Sequence, residues 1–314
     1  MLFSPRPPYD LALATRLLDT PLSSVAEYVV DGNFRRALLS RGTTMLLQAR
    51  SIGTVTEPAV ELSVLAPEGV ALSSELADRF RIMLSCDLDL VPLYEQLSTH
   101  PAGAELSRRL IGLKPIHTAS LFEALLIAVT EQQVSLAAAL AIRKRIGQEL
   151  GHSVAFEGRQ YWTLPSPEDL LACKIGRLRA LGLSATKEAT LLSLARLAVS
   201  GELDPVDLSG LPAASIVRTL TAIKGVGPWT AQYAILRGLR RYDSVPTNDH
   251  GLLRGMQMVL GSDQIPDHKA VGAYLKPFEH VAGLAAFYFI VWYALGKYAS
   301  VSHVKGGPTI ANLF

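Results

Sequence analysis

One short stretch constrains this chain more than any other. An apolar helical pattern (Ile216, Leu220, Ile223) runs into Lys224-Gly225-Val226-Gly227-Pro228-Trp229 and then into a second helical pattern. Glycine directly after a helix accepts the left-handed conformation that ends it. A second glycine lets the backbone approach something closely. Proline suits the first turn of the next helix, where its missing N–H costs nothing. Two helices must therefore reverse direction here. The second presents free amides and the positive end of its dipole, a place where a phosphate fits. Val226 can tuck inward and pin the turn. Taken alone, the same turn also serves as a helix–turn–helix corner that holds no ligand.

The remaining pattern divides the chain. From about residue 91 onward nearly everything reads as helix: 91–97, 121–129 continuing to 150, 167–172, 187–199, 213–223, 229–240, 251–260, 269–275 and 284–295. Prolines and glycines punctuate these helices. Before residue 91 the pattern is mixed. Asp31-Gly32 is a turn signal between two strand-like runs. Val60, Leu62 and Val64 alternate with Glu61 and Ser63, which gives one buried and one wet face. The fold class is therefore α+β: a small antiparallel-sheet domain, 1–90, followed by a mostly α-helical region, 91–314, with room for two helical subdomains.

Composition removes several function classes. The 314 residues are 49% hydrophobic and 18% charged, which supports a sizeable core and excludes disorder. The net charge is only +2, so an anionic partner must meet a local basic face. Two lone cysteines, Cys86 and Cys173, suggest no disulfide framework and no zinc or iron–sulfur spacing; they fit a reducing cytoplasm. The N-terminus has no apolar core long enough for a signal peptide. The longest uncharged run, 281–296, has 16 residues, short of the roughly 20 that span a bilayer, so a buried helix and no membrane are expected.

Asp249 follows Gly227 by 22 positions. A hairpin followed by an aspartate at this distance resembles the mark of the helix-hairpin-helix superfamily of DNA glycosylases. The stretches PPYD at 7–10, FEALLIAVTEQQVS at 122–135 and RALGLSATKEATLLSLA at 179–195 resemble the bacterial 3-methyladenine DNA glycosylase II subfamily, as does the mixed front segment. The resemblance covers nearly the whole chain. It implies a hydrolase of N-glycosyl bonds, a monofunctional DNA N-glycosylase that excises alkylated, 3-methyladenine-like bases in base excision repair. Its partner is double-stranded DNA containing damaged bases, and the chain is expected to act as a monomer.

The implied chemistry assigns residues. The damaged base must leave the stack to reach a pocket. The sugar then gains oxocarbenium character, which a carboxylate stabilises while it guides water. Asp249 is the candidate. Local sequence also makes it the N-cap of the helix after it. The two roles are compatible, because a helix start favours negative charge. Superfamily members that also nick the backbone carry a Schiff-base lysine at the position of Trp229. Tryptophan there implies no lyase step. The cysteine cluster of some relatives is absent, so no iron–sulfur centre and no other cofactor is expected. In the family, hairpin carbonyls hold a monovalent cation, which leaves no residue signature.

A flat cationic base is best held between aromatic faces. Trp229 and Tyr233, spaced i and i+4, share one helix face. Trp292 on the last apolar helix, with Tyr288 one turn before it, is the further pocket candidate by resemblance. Gln133 stands where the bacterial prototype of the subfamily has a leucine that fills the gap left by the flipped base, and Gln132 beside it is a second DNA-contact candidate. As an alternative, this stretch is only a solvated helix joint. Phosphate contacts fall to the amides of Gly225, Gly227 and Trp229, with Lys224, Arg237, Arg240 and Arg241 as helpers, the arginines alternatively being only a solvated face; Val226 and Thr230 complete the DNA-binding candidates. Two rival functions stay open: a glycosylase for deaminated or oxidised bases, and a non-catalytic helix-hairpin-helix DNA-binding protein.

Overall fold

The computed structural model describes residues 1–18 and 25–298. The last 16 residues of the expected helical region lie outside it. The front segment is a five-stranded antiparallel sheet built from β1 (Leu2–Phe3), β2 (Glu27–Val30), β3 (Asn33–Ser40), β4 (Thr43–Ser51) and β5 (Val60–Ala66), in the order β1-β5-β4-β3-β2. Its hairpins close on Asp31-Gly32 and Arg41-Gly42, with positive φ at both residues of each pair. That backbone matches the right-handed twist of the flanking strands. The helix Ser74–Met83, capped by Ser73 Oγ, lays Leu76, Ala77, Phe80 and Met83 on Phe34, Leu38, Leu47 and Leu62.

A second hairpin, β6 (Ser153–Phe156) and β7 (Arg159–Trp162), departs from the expected run of helices. It turns on Glu157-Gly158, again with positive φ at both residues. Tyr161 buries itself against Tyr28, Ala37, Leu46 and Ala66. Both faces of the front sheet are therefore covered. Arg36 of β3 is almost completely buried and pairs with Glu27 Oε1 at 2.8 Å and with Glu123 Oε1 at 2.5 Å, which ties the sheet to the helix Leu121–Glu131.

The helices form two cores. In the first, Leu121–Glu131 buries every residue from 121 to 130. A helix apolar on all sides must be enclosed, and Leu136–Leu150, Ala185–Val199, Ala213–Thr221 and Pro228–Arg237 contribute to the same core. The expected continuous helix from 121 to 150 is interrupted by a loop at residues 132–135. The second core draws on both flanks of the chain. Val91–Ser98 and Pro101–Arg109 share it with His250–Leu260, His268–Leu275 and the C-terminal helix Ala282–Tyr298. Gly255 makes the tightest crossing there, since a Cβ on it would stand 2.0 Å from the Phe289 carbonyl oxygen. The stretch 268–297 is long and apolar enough to cross a membrane by length and composition alone. Its backbone leaves helical geometry at Glu279, and the helix after that break packs into the second core. The segment 238–249 passes from one core to the other and ends at the candidate acid.

Candidate active site

Asp249 caps the helix His250–Leu260. Its Oδ1 accepts a hydrogen bond from the Leu252 amide at 2.9 Å, while Oδ2 accepts one from Trp229 Nε1 at 2.7 Å. One oxygen is thus held by its own helix and the other by an indole from the opposite core. The carboxylate is half-buried, with Asn248 and His250 exposed on either side. The segment that delivers it is anchored along its length. Gln232 Nε2 donates to the Val245 carbonyl at 2.6 Å, the Gly283 amide donates to the Tyr242 carbonyl at 2.6 Å, and the Tyr242 hydroxyl meets His117 Nε2 at 3.0 Å. Burial pushes the His117 imidazole down to about 3, so this anchor is neutral at ordinary pH.

Trp229 and Tyr233 stand side by side with ring centroids 5.6 Å apart, and both are half-buried. The Arg237 guanidinium lies 5.8 Å from the Tyr233 ring centroid. Burial pushes the Tyr233 phenol up to about 12. Asp249 therefore sits at the edge of an aromatic pair whose first member orients it.

In the hairpin the two glycines differ in kind. Gly225 has φ +91°, and a Cβ on it would stand 1.9 Å from Thr190 Oγ1. Gly227 has φ −91°, which any residue adopts, and a Cβ on it would meet nothing within 4 Å. The fold itself requires only the first. Gly227 starts the helix Pro228–Arg237 without a side-chain cap, so the first-turn amides, which lack intrahelical acceptors, face outward uncapped.

The carbonyls of Ile223, Lys224 and Gly225 accept hydrogen bonds from the Val226 amide, Thr190 Oγ1 and Gln132 Nε2. Carbonyl oxygens of this turn are where the resemblance places a monovalent cation, and one accepted hydrogen bond leaves each a second lone pair. Among the described residues no cluster of histidine, cysteine, aspartate or glutamate could hold a metal ion.

Several expected residues take other roles. Tyr288 is fully enclosed in the second core, where its hydroxyl donates to the Leu113 carbonyl at 2.8 Å and meets the Tyr94 hydroxyl. It cannot face a ligand; the apolar run that suggested a pocket is core at this position. Trp292 is half-buried against the same core. Ile290, close to Gly251, and Tyr293, whose ring centroid lies 6.0 Å from that of His250, face the acid helix. Sequence reasoning passed over Tyr293; its only signal was an aromatic next to Trp292. Val226 points into the first core and Thr230 is 1% exposed, so neither side chain can reach DNA. Arg241 is committed to Asp243 and to the Ser209 and Leu211 carbonyls. Lys224 and Gly225 are exposed beside the hairpin. Gln133 is exposed at a loop tip with φ +54°.

A hairpin with an open helix start, joined through an indole to a half-buried carboxylate, defines a DNA-repair fold, and the chain belongs to the HhH-GPD superfamily of base excision DNA repair proteins. The model of that superfamily matches residues 126–280. Among individual relatives, the DNA-3-methyladenine glycosylase of Bacillus subtilis is 30% identical over 202 residues, 64% of this chain and 67% of the relative. DNA-3-methyladenine glycosylase 2 of Escherichia coli is 28% identical over 249 residues, 78% of this chain and 83% of the relative. The 3-methyladenine DNA glycosylase structure from Archaeoglobus fulgidus shares the fold, with a TM-score of 0.79 over 94% of this chain and 98% of that one at 18% identity.

Proposed function

We propose that this chain is a monofunctional DNA N-glycosylase that removes alkylated, 3-methyladenine-like bases from duplex DNA, acting as a single chain in base excision repair. The observation that carries this reading is the Asp249 carboxylate, gripped from two sides at the edge of the Trp229–Tyr233 pair. The uncapped helix start at Gly227 holds the phosphate backbone, and the damaged nucleotide turns out of the stack. An alkylated purine carries positive charge, which the aromatic faces favour by roughly 0.5–2 kcal/mol per contact. The C1′–N bond breaks and its electron pair leaves with the base, which departs neutral. Asp249 stabilises the oxocarbenium character left on the sugar. Water adds at C1′, and its proton passes to Asp249. With tryptophan at residue 229 and no lysine amine there, the abasic product is released without a Schiff base or strand cleavage.

At about 1.4 kcal/mol per tenfold, the aromatic contacts give only modest selectivity. The weakened bond of the alkylated nucleotide supplies the rest, so a broad range of alkylated substrates follows. The test incubates the native chain with methylated duplex DNA and with duplexes carrying single hypoxanthine or oxidised bases. Free base and strand breaks are measured separately. Base release from methylated DNA without strand breaks is the expected result. Strand scission before alkali would overturn the absence of a lyase step. Faster release of hypoxanthine or an oxidised base would move the substrate class. Binding without any release would leave a DNA-binding module.

A further inference from the structure

The loop at residues 132–135 and the hairpin belong to distant parts of the sequence, yet they are hydrogen-bonded as one piece. Gln132 Nε2 donates to the Gly225 carbonyl at 3.0 Å and to Thr230 Oγ1 at 2.9 Å. Both of the protons on that amide nitrogen are therefore spent inside the protein, one on each side of the turn between the hairpin helices. A third element locks the same loop from behind. Lys187, in the first turn of Ala185–Val199, donates from Nζ to the Thr130 carbonyl at 3.1 Å and to the Gln132 carbonyl at 2.7 Å. These carbonyls end the helix Leu121–Glu131, where an ammonium meets the negative end of the helix dipole. From the same helix as Lys187, Thr190 Oγ1 donates to the Lys224 carbonyl at 3.2 Å. The bracing leaves the tip of the loop free. Gln133 is exposed, on a left-handed backbone, with Val134 41% exposed beside it.

We propose that Gln132 is a positioning residue: it fastens the Gln133 loop to the hairpin, with Lys187 as its strut, so that seating the hairpin on the DNA backbone and driving the loop into the base stack become one event. This rests on the reading of the chain as a base-flipping glycosylase. It reassigns Gln132 from a DNA contact to an internal brace. A residue with this role matters for opening a duplex and much less where the target base is already unstacked.

The experiment compares the native chain with Gln132→Met, which keeps length and loses both hydrogen bonds. Single-turnover base release is measured from a methylated duplex and from the methylated single strand. The variant is expected to lose about tenfold more rate on the duplex than on the single strand, the scale of one to two lost hydrogen bonds. Lys187→Met should shift the same ratio in the same direction, and Lys187→Arg, which keeps a donor, should restore most of it. A second arm needs no chemistry. A duplex with a tetrahydrofuran abasic site opposite 2-aminopurine reports loop entry as a fluorescence rise on binding, and Gln132→Met should blunt that rise at saturating protein. Equal losses on duplex and single strand, or an unchanged fluorescence rise, would overturn the proposal. A native chain that lights the 2-aminopurine but releases no base would instead sink the glycosylase reading and leave the brace standing.

Discussion

Two helix starts meet at the site, and they are built in opposite ways. The helix from Pro228 begins at Gly227, with no side chain over its first amides. The helix from His250 begins at Asp249, whose own carboxylate closes the end. One start is left open to take a negative charge from outside. The other supplies the negative charge itself. The Trp229 indole, on the open helix, donates to the carboxylate of the closed one at 2.7 Å and fixes their separation. An open start grips an anion such as phosphate, and a closed start can present a fixed carboxylate to a sugar that turns positive. The difference therefore assigns binding to one helix and chemistry to the other.

The sharpest way to break that division is Asp249→Asn. Asparagine caps a helix about as well as aspartate but cannot also accept from the indole, so unfolding should cost only about 1 kcal/mol. The negative charge is lost, and single-turnover base release should fall about a hundred- to a thousandfold, the scale of removing one transition-state stabilising group. Binding to an abasic-site duplex should persist. A loss of only a few-fold would reduce Asp249 to a cap, and the closed start would then have no chemical meaning.

The open start is tested by its two glycines. Gly227→Ala fills empty space at an ordinary φ. Its stability cost should stay below about 1 kcal/mol, the gap between glycine and alanine at an N-cap. Its affinity for duplex DNA should nonetheless drop about tenfold, one tenth of the binding constant per 1.4 kcal/mol of lost contact. Gly225→Ala should do the reverse in denaturant, losing more than about 1 kcal/mol because φ is positive and Thr190 stands in the way. If both variants unfold alike and bind alike, the open start is only a turn.

The sequence exposed these two helix starts because their chemistry is local. Glycine spacing, the proline at the first turn and an aspartate before an apolar run act within a few residues, and so do the Asp31-Gly32 hairpin and the Ser73 cap. What stayed hidden depends on distant partners. Gln132 reads as a polar loop residue until its amide is found on Gly225 and Thr230. Tyr288 and Tyr293 share one apolar helix, and only the packing of the second core decides that the first is sealed and the second faces the acid helix. The β6–β7 hairpin was legible in hindsight from Glu157-Gly158, but four-residue strands give too short an alternation to compete with the surrounding helical pattern. The sequence left room for two helical subdomains but not their membership, since the second core is assembled from residues on both sides of the first.

The smallest effect gives the cleanest control. Asp267 begins the helix His268–Leu275 in the same way that Asp249 begins its own, with Oδ1 accepting from the amide three residues on, Ala270, at 2.8 Å. The backbone at both caps is extended and the hydrogen bonds differ by 0.1 Å. Asp267 is exposed, and among the described residues its side chain makes no hydrogen bond or ion pair besides the cap. Asp267→Ala should therefore cost about 1 kcal/mol of unfolding free energy, the usual worth of a cap, and leave base release within twofold of the native rate. Asp249→Ala should cost about 1–2 kcal/mol in denaturant, because the indole hydrogen bond goes with the cap, and should still abolish release. Stability losses of the same order with activity losses orders of magnitude apart would separate capping from chemistry at a single residue type. If Asp267→Ala also slowed base release, the effect of Asp249 variants would have to be ascribed to loosening of the second core, and the indole-held oxygen would lose its special standing.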